Sequence, residues 1–350
     1  MSSPILGLTE FKELFDPLLS TELDAHIARA RVSTKDEDLH KLLLQVKKIA
    51  LAGGKRIRPY AAYLMYRTAG GSDDSVFKIL LALEIFHIFA LIHDDITDCG
   101  ELRHGVPTVH AFARSFVQGD PEKAEHLAEG LALLVGDLVF SWSRDIFVTS
   151  DVSKETHALF TDMIHAVVLG QMLDVKIMCQ TNPSETTILE KTSLKTADYT
   201  FIYPFQIGAS LAGLHADWAE WCTRMGASLG IAFQLQDDLL DIVGSHHATG
   251  KNLLQDIVES QHTIFTAYIR TQGNEKDIQE LEEVFGHIVD SESTVRIQEL
   301  FERSGALAYG KEMISTEITN AKEALAGVTM TDDARSAWET LIATMEKRTA

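Results

Sequence analysis

The chain has 350 residues, 45% of them hydrophobic, enough for the core of one large domain or two ordinary ones. With 51 acidic against 31 basic side chains its formal charge is -20, which disfavours nucleic acid or an anionic membrane as the main partner. Cys99, Cys179 and Cys222 are scattered, odd in number and without a C-x-x-C, so they give no metal motif and fit a reducing compartment. The N-terminus, MSSPILGLTEFKELF, has no basic region before its apolar residues; no secretory signal and a cytoplasmic protein are expected. Apolar runs are interrupted by Glu84, His87, His93 and similar residues, so none is expected to supply the roughly 20 residues of a membrane span.

The apolar pattern is helical almost throughout, proline is scarce, and no series of alternating strands with Asn-Gly turns occurs. An all-α protein is predicted. Breaks at 69–75 (AGGSDDS), 118–121 (QGDP), 180–185 (QTNPSE), 213–217, 244–250 (GSHHATG) and 271–276 (TQGNEK) are short. They punctuate helices, so a single domain over 1–350 is expected, with the acidic part after about Gly273 as its looser end.

In chain order, residues 53–59 read GGKRIRP and place Lys55, Arg56 and Arg58 within four residues. Glycines allow close backbone approach and the cations supply charge-assisted hydrogen bonds, which suits a phosphate, although a solvated basic turn has the same composition. The stretch 83–105, LEIFHIFALIHDDITDCGELRHG, is an apolar helical run leading into Asp94, Asp95 and Asp98. Residues four apart stand almost one above the other on a helix, so Asp94 and Asp98 share a face with His87. Carboxylates at the end of a buried rod need water or a cation. Arg103 and His104 follow; a cation so close either pairs with the acids or serves a ligand.

Gln171 and Asp174 in GQMLD share a helix face, and Lys195 and Thr196 follow in SLKTADYTF; taken alone, such residues are more often surface polarity. A second apolar run, LGIAFQLQDDLLDIVG, then repeats the acidic pattern with Asp237, Asp238 and Asp241, and Gln234 on the same face. Two carboxylate boxes without cysteine or ligand-spaced histidine favour a hard cation, Mg²⁺ before Zn²⁺. Magnesium shares one or two carboxylates with substrate phosphates, so the pair of boxes suggests Mg²⁺ gripping a diphosphate.

The ordered set GGKRIRP, LIHDDITD with RHG, GQMLD, KT, FQLQDDLLD and the GK of Gly250 and Lys251, within about 45–265, resembles the trans-isoprenyl diphosphate synthases, or polyprenyl synthetases. The resemblance implies one bundle of antiparallel helices around a central cavity, a homodimer, and Mg²⁺, three ions with substrate bound. It implies that Asp94, Asp98 and Asp237, assisted by Asp95, Asp238 and Asp241, hold the metal on an allylic diphosphate. Arg103, Lys195, Thr196, Gln234 and Lys251 would contact that diphosphate; Lys55, Arg58 and His87 would hold isopentenyl diphosphate. Ionisation of the allylic diphosphate to a carbocation, attack by the isopentenyl double bond and loss of a proton would follow in a dry cavity.

Three positions depart from the family pattern. His104 stands where an arginine would serve isopentenyl diphosphate, Leu254 where the motif after the second box has glycine, and Gln261 where it has its second lysine. Fewer cations predict weaker diphosphate binding or an altered substrate preference. Phe89 with the small Ala90 before the first box, and Phe86 one turn deeper, resemble short-chain enzymes that stop at twenty carbons. Geranylgeranyl diphosphate is expected, with fifteen-carbon farnesyl diphosphate as the alternative. A noncatalytic partner subunit, an ionising terpene cyclase and a metal phosphohydrolase are the rival readings; intact boxes, the isopentenyl residues and the GGKRIRP stretch speak against them in turn.

Overall fold

The computed structural model describes residues 4–117, 119–244 and 253–347, and it is all-α apart from one minute hairpin. The chain packs as two compact units, 1–63 with 72–153 and 64–71 with 154–350.

The first unit opens with α1 (Leu8–Ser33), whose Phe11, Phe15, Leu19, Leu23 and Ile27 recur every fourth residue and are all buried. α2 (Glu37–Ala52) starts at Asp36, whose carboxylate accepts from the N–H groups of Asp38 and Leu39. α3 (Ile57–Thr68) begins after the glycine pair. α4 (Val76–Thr97) carries the long apolar run and packs chiefly on α6 (Pro121–Thr149); the Ser143 hydroxyl of α6 donates to the Ala82 carbonyl at 2.8 Å. α6 starts from an Asp120 cap with Pro121 in its first turn, where a missing N–H is harmless. α5 (Val109–Ala113) is short.

Length and composition would let α4 and α7 (Lys154–Met178) cross a membrane, contrary to the sequence expectation, because the polar residues interrupt them only singly. Of their most apolar stretches, 61% is buried within the protein in α4 and 39% in α7.

Strands β1 (Leu102–Arg103) and β2 (Val106–Pro107) are the exception to the helical pattern. Leu102 pairs with Pro107 and Arg103 with Val106, leaving His104 (φ 52°) and Gly105 (φ 77°) as a two-residue turn. Two successive left-handed residues make the type I′ hairpin turn, and histidine is among the residues that tolerate that conformation.

In the second unit α7, α8 (Glu185–Thr192), a π-helical segment (Ser193–Ile202), α9 (Tyr203–Leu211) and α10 (His215–Val243) form the core. A Cβ at Gly170 would lie 2.6 Å from the Lys195 backbone nitrogen, so the glycine of GQMLD is what lets α7 touch the π-helical segment. α11 (Gln255–Val258), α12 (Ile264–Gln272), α13 (Glu275–Val284), α14 (Ser291–Arg303), α15 (Ala306–Ala326) and α16 (Asp332–Lys347) follow.

The acidic part after Gly273 is not loose. Trp338 is fully buried, stands edge-on to Trp221 and Phe205, and donates from its indole to Thr68 at 2.9 Å. Tyr309 ties α15 to Glu185 of α8 at 2.8 Å. Glu280 is taken up by Arg296 and Arg303, so much of the acidity is paired in place.

Candidate active site

In the first unit the GGKRIRP loop joins α2 to α3 and its cations part company. Arg56 is buried and left-handed at φ 55°; Nε donates to Asp16 at 2.7 Å, Nη1 to Glu84 at 2.7 Å and Nη2 to the Ala50 carbonyl at 2.6 Å. Burial works against its charge, yet Glu84 and Asp16 outweigh that and hold the guanidinium above its usual pKa. With its donor faces turned inward, Arg56 holds the loop, while Lys55 is exposed and Arg58 half-buried.

Arg58 donates from Nη1 to His87 Nε2 at 3.2 Å. Burial pushes the His87 pKa well down, and the cations Arg58, Arg103 and Arg56 and the His104 ring push the same way. A neutral imidazole that accepts at Nε2 keeps its proton on Nδ1. His104 lies on the same loop: a Cβ at Gly53 would be 2.6 Å from its Cγ, so Gly53 must be glycine for the hairpin to close over GGKRIRP.

Asp94 and Asp98 are half-buried at the end of α4; Asp98 is the capping residue, its N–H donating to the Asp94 carbonyl at 2.9 Å. Asp95 differs. It is buried, and Arg103 fastens on its Oδ1 through Nε at 2.8 Å and through Nη2, with Asp94 3.8 Å from the same Nη2. Two turns and one turn back, the Phe86 and Phe89 rings lie 5.3 Å apart, and both meet Phe140 of α6, at 6.0 and 5.1 Å. Ala90 is half-buried beside them.

In the second unit Asp174, which the sequence suggests is surface polarity, is buried instead. Lys195 donates to its Oδ2 at 2.6 Å and Lys191 stands 3.1 Å from its Oδ1. Burial opposes the Asp174 charge, but the two lysines hold its carboxyl below the usual range. Thr196 donates to Gln234 Oε1 at 2.7 Å, and Gln234 donates from Nε2 to Asp238 at 2.8 Å, so KT and the second box are wired together.

Within that box burial pushes Asp238 up to about 7 despite Lys191 and Gln234, with Asp237 and Asp241 adding like charge. Asp241 accepts from the N–H groups of Gln255 and Asp256, each at 3.0 Å, and so anchors α11. That anchor explains Leu254. It sits left-handed at φ 59°, the conformation a glycine gives freely, with its side chain fully buried. Gln261 is buried too, its amide against the Met178 sulfur at 3.9 Å. Gly250 and Lys251 lie outside the described residues.

The site residues thus fall into two groups, Lys55, Arg58, His87, Asp94, Asp95, Asp98, Arg103 and His104 in one unit and Lys195, Thr196, Gln234, Asp237, Asp238 and Asp241 in the other. Three participants escape sequence reading: Glu84, Phe140 and Lys191. Glu84 interrupts an apolar helix and was the one visible signal; the other two sit in unremarkable local contexts.

The polyprenyl synthetase family model matches residues 40–303. A short chain isoprenyl diphosphate synthase of Methanothermobacter thermautotrophicus is 31% identical over 88% of this chain and 91% of its own. A geranylgeranyl diphosphate synthase of Methanosarcina mazei is 29% identical over 87% and 89%. The crystal structure of a geranylgeranyl pyrophosphate synthase from Corynebacterium glutamicum, complexed with isoprenyl diphosphate and magnesium, superposes with a TM-score of 0.87 at 28% identity, covering 95% of this chain and 98% of that one. With the acidic boxes and basic loop already placed on such a scaffold, the chain belongs to the polyprenyl synthetase family and is an isoprenyl diphosphate synthase, a chain-elongating prenyltransferase.

Proposed function

We propose that the enzyme joins isopentenyl diphosphate to an allylic diphosphate with Mg²⁺ and stops at geranylgeranyl diphosphate. The observation that carries the chain length is the Phe86–Phe89–Phe140 cluster with the small Ala90 beside it. One aromatic layer begins a turn below the first acidic box, leaving room for a product of intermediate length.

The donor set fits a hard cation. Asp237, Asp238 and Asp241 offer only oxygen; burial is the main cause of the raised Asp238 pKa and the like charges of Asp237 and Asp241 add to it, and a divalent ion would relieve that repulsion. The Corynebacterium protein, solved with magnesium and isoprenyl diphosphate, supports the same choice. Asp94, Asp98 and Asp237 would hold the metal, up to three ions with substrate, and Asp95 and Asp241 would support them through Arg103 and α11. Bound there, the metal would neutralise the departing diphosphate.

Lys195, Thr196 and Gln234, with Lys251, orient the allylic diphosphate in this reading. Lys55, Arg58 and the neutral His87 take the diphosphate of isopentenyl diphosphate, His87 through its Nδ1 proton. The apolar wall from Phe86 to Ala90 keeps water from the carbocation. Leu127, Leu134 and Leu138 form an exposed stripe along α6, which supports a homodimer, and the free cysteines fit a cytoplasmic enzyme.

Purified protein with Mg²⁺, isopentenyl diphosphate and dimethylallyl, geranyl or farnesyl diphosphate tests this directly. Chromatography is expected to show geranylgeranyl diphosphate as the end product. Accumulation of farnesyl diphosphate overturns the chain length, and absence of elongation with every starter overturns the reaction.

A further inference from the structure

Asp174 is held by two lysines where one would neutralise it. Its side chain is 3% exposed, Lys191 is 12% exposed and Lys195 is 27% exposed. The triad carries a net positive charge inside the second unit, and its two cations differ in freedom. Lys191 also donates to the His262 carbonyl at 3.1 Å, which fixes it between α8 and the segment after α11. Lys195 is the more exposed of the two and precedes Thr196, whose hydroxyl reaches the second acidic box through Gln234.

A lysine paired to a buried carboxylate is a poor ligand for another anion, because leaving the pair strands a desolvated charge. Here Asp174 keeps a cation when Lys195 departs, since Lys191 already stands beside its other oxygen. We propose that Lys191 is a positioning residue of the allylic diphosphate site: it retains Asp174 and so releases Lys195 to the incoming diphosphate.

The inference rests on the proposed function for the identity of the anion, but its test does not need turnover. Binding of inorganic diphosphate in the presence of Mg²⁺ is measured by calorimetry for the wild type, Lys191→Met, Lys191→Arg, Asp174→Asn and the Lys191→Met/Asp174→Asn pair. Lys191→Met is expected to weaken binding about tenfold, with Lys191→Arg recovering most of it. In the Asp174→Asn background, where Lys195 has no carboxylate to leave, Lys191→Met is expected to change binding less than about threefold. Thermal midpoints of the Met variant are expected to stay near that of the wild type, because Lys195 still pairs with Asp174. The elongation assay should show a matching rise in KM for the allylic substrate, with KM for isopentenyl diphosphate little moved.

Binding by Lys191→Met within twofold of the wild type overturns the inference, as does a tenfold loss of equal size with and without Asp174. A wild type that elongates no prenyl chain yet shows the expected diphosphate series overturns the function and leaves the inference standing. A wild type that binds no diphosphate overturns both.

Discussion

Arg56 Nη1 donates to Glu84 Oε1 at 2.7 Å, and each side chain is only 3% exposed. This buried pair puts Glu84, midway along α4, under the basic loop, with Asp16 of α1 completing the grip. Removing one partner of such a pair strands the other, at about 3–5 kcal/mol. Glu84→Leu is expected to lower unfolding free energy by about 3 kcal/mol, Asp16 retaining part of the hold. Denaturant titration measures it; a loss below about 1 kcal/mol would show that the loop does not depend on the pair.

His104 occupies the first position of the hairpin turn and lies over Gly53, so its ring belongs to the surface that carries Lys55 and Arg58. His104→Arg adds a permanent cation there and is expected to lower KM for isopentenyl diphosphate several-fold. His104→Asn preserves the left-handed turn without the ring and is expected to raise KM. Equal KM for all three enzymes would place residue 104 outside the second diphosphate site.

How much of this is readable in sequence depends on whether the information is local. Helical periodicity announces α1, α4 and α10, and both acidic boxes mark themselves by repetition. The left-handed backbone at Leu254 is foreshadowed only by comparison with a glycine pattern, because leucine is a residue that seldom adopts it. Asp174 looks like surface polarity because its two lysines come from residues 191 and 195, beyond the reach of one helix's spacing. The C-terminal acids look loose for the same reason: Arg296, Arg303 and the Trp338 contacts arrive from other helices. Asp95 shows the converse case, a motif residue whose nearby cation, Arg103, leaves two readings open in the sequence until the folded chain pairs them.

Phe140 joins Phe86 and Phe89 from α6 and is half-buried, whereas Phe86 is fully buried. Truncating Phe140 or Phe89 to Ala is expected to open the apolar wall and shift products beyond twenty carbons. Phe86→Ala is expected to lengthen the product and also to destabilise the fold by about 3–5 kcal/mol, since it empties a packed core position. Product chromatography separates the cases. An unchanged spectrum in Phe140→Ala would leave the length limit to α4 alone.

Asp198 stands in the π-helical segment, where burial pushes its carboxyl up to about 6. A carboxyl that holds its proton more tightly when folded favours the folded state fully below its unfolded pKa near 3.8, and that advantage is lost as pH rises through 6. At neutral pH the ionised group is therefore a liability of the segment that also carries Lys195 and Thr196. Asp198→Asn removes it and is expected to stabilise the protein by about 1 kcal/mol at pH 7.5, after allowance for the solvent that still reaches the side chain. The gain should fade as pH falls through 6 and vanish below about 3.8, where the wild-type carboxyl is protonated in both states. Melting curves of the two proteins from pH 4 to 8 measure it, and a difference that stays constant across that range would show that the effect is packing and not charge.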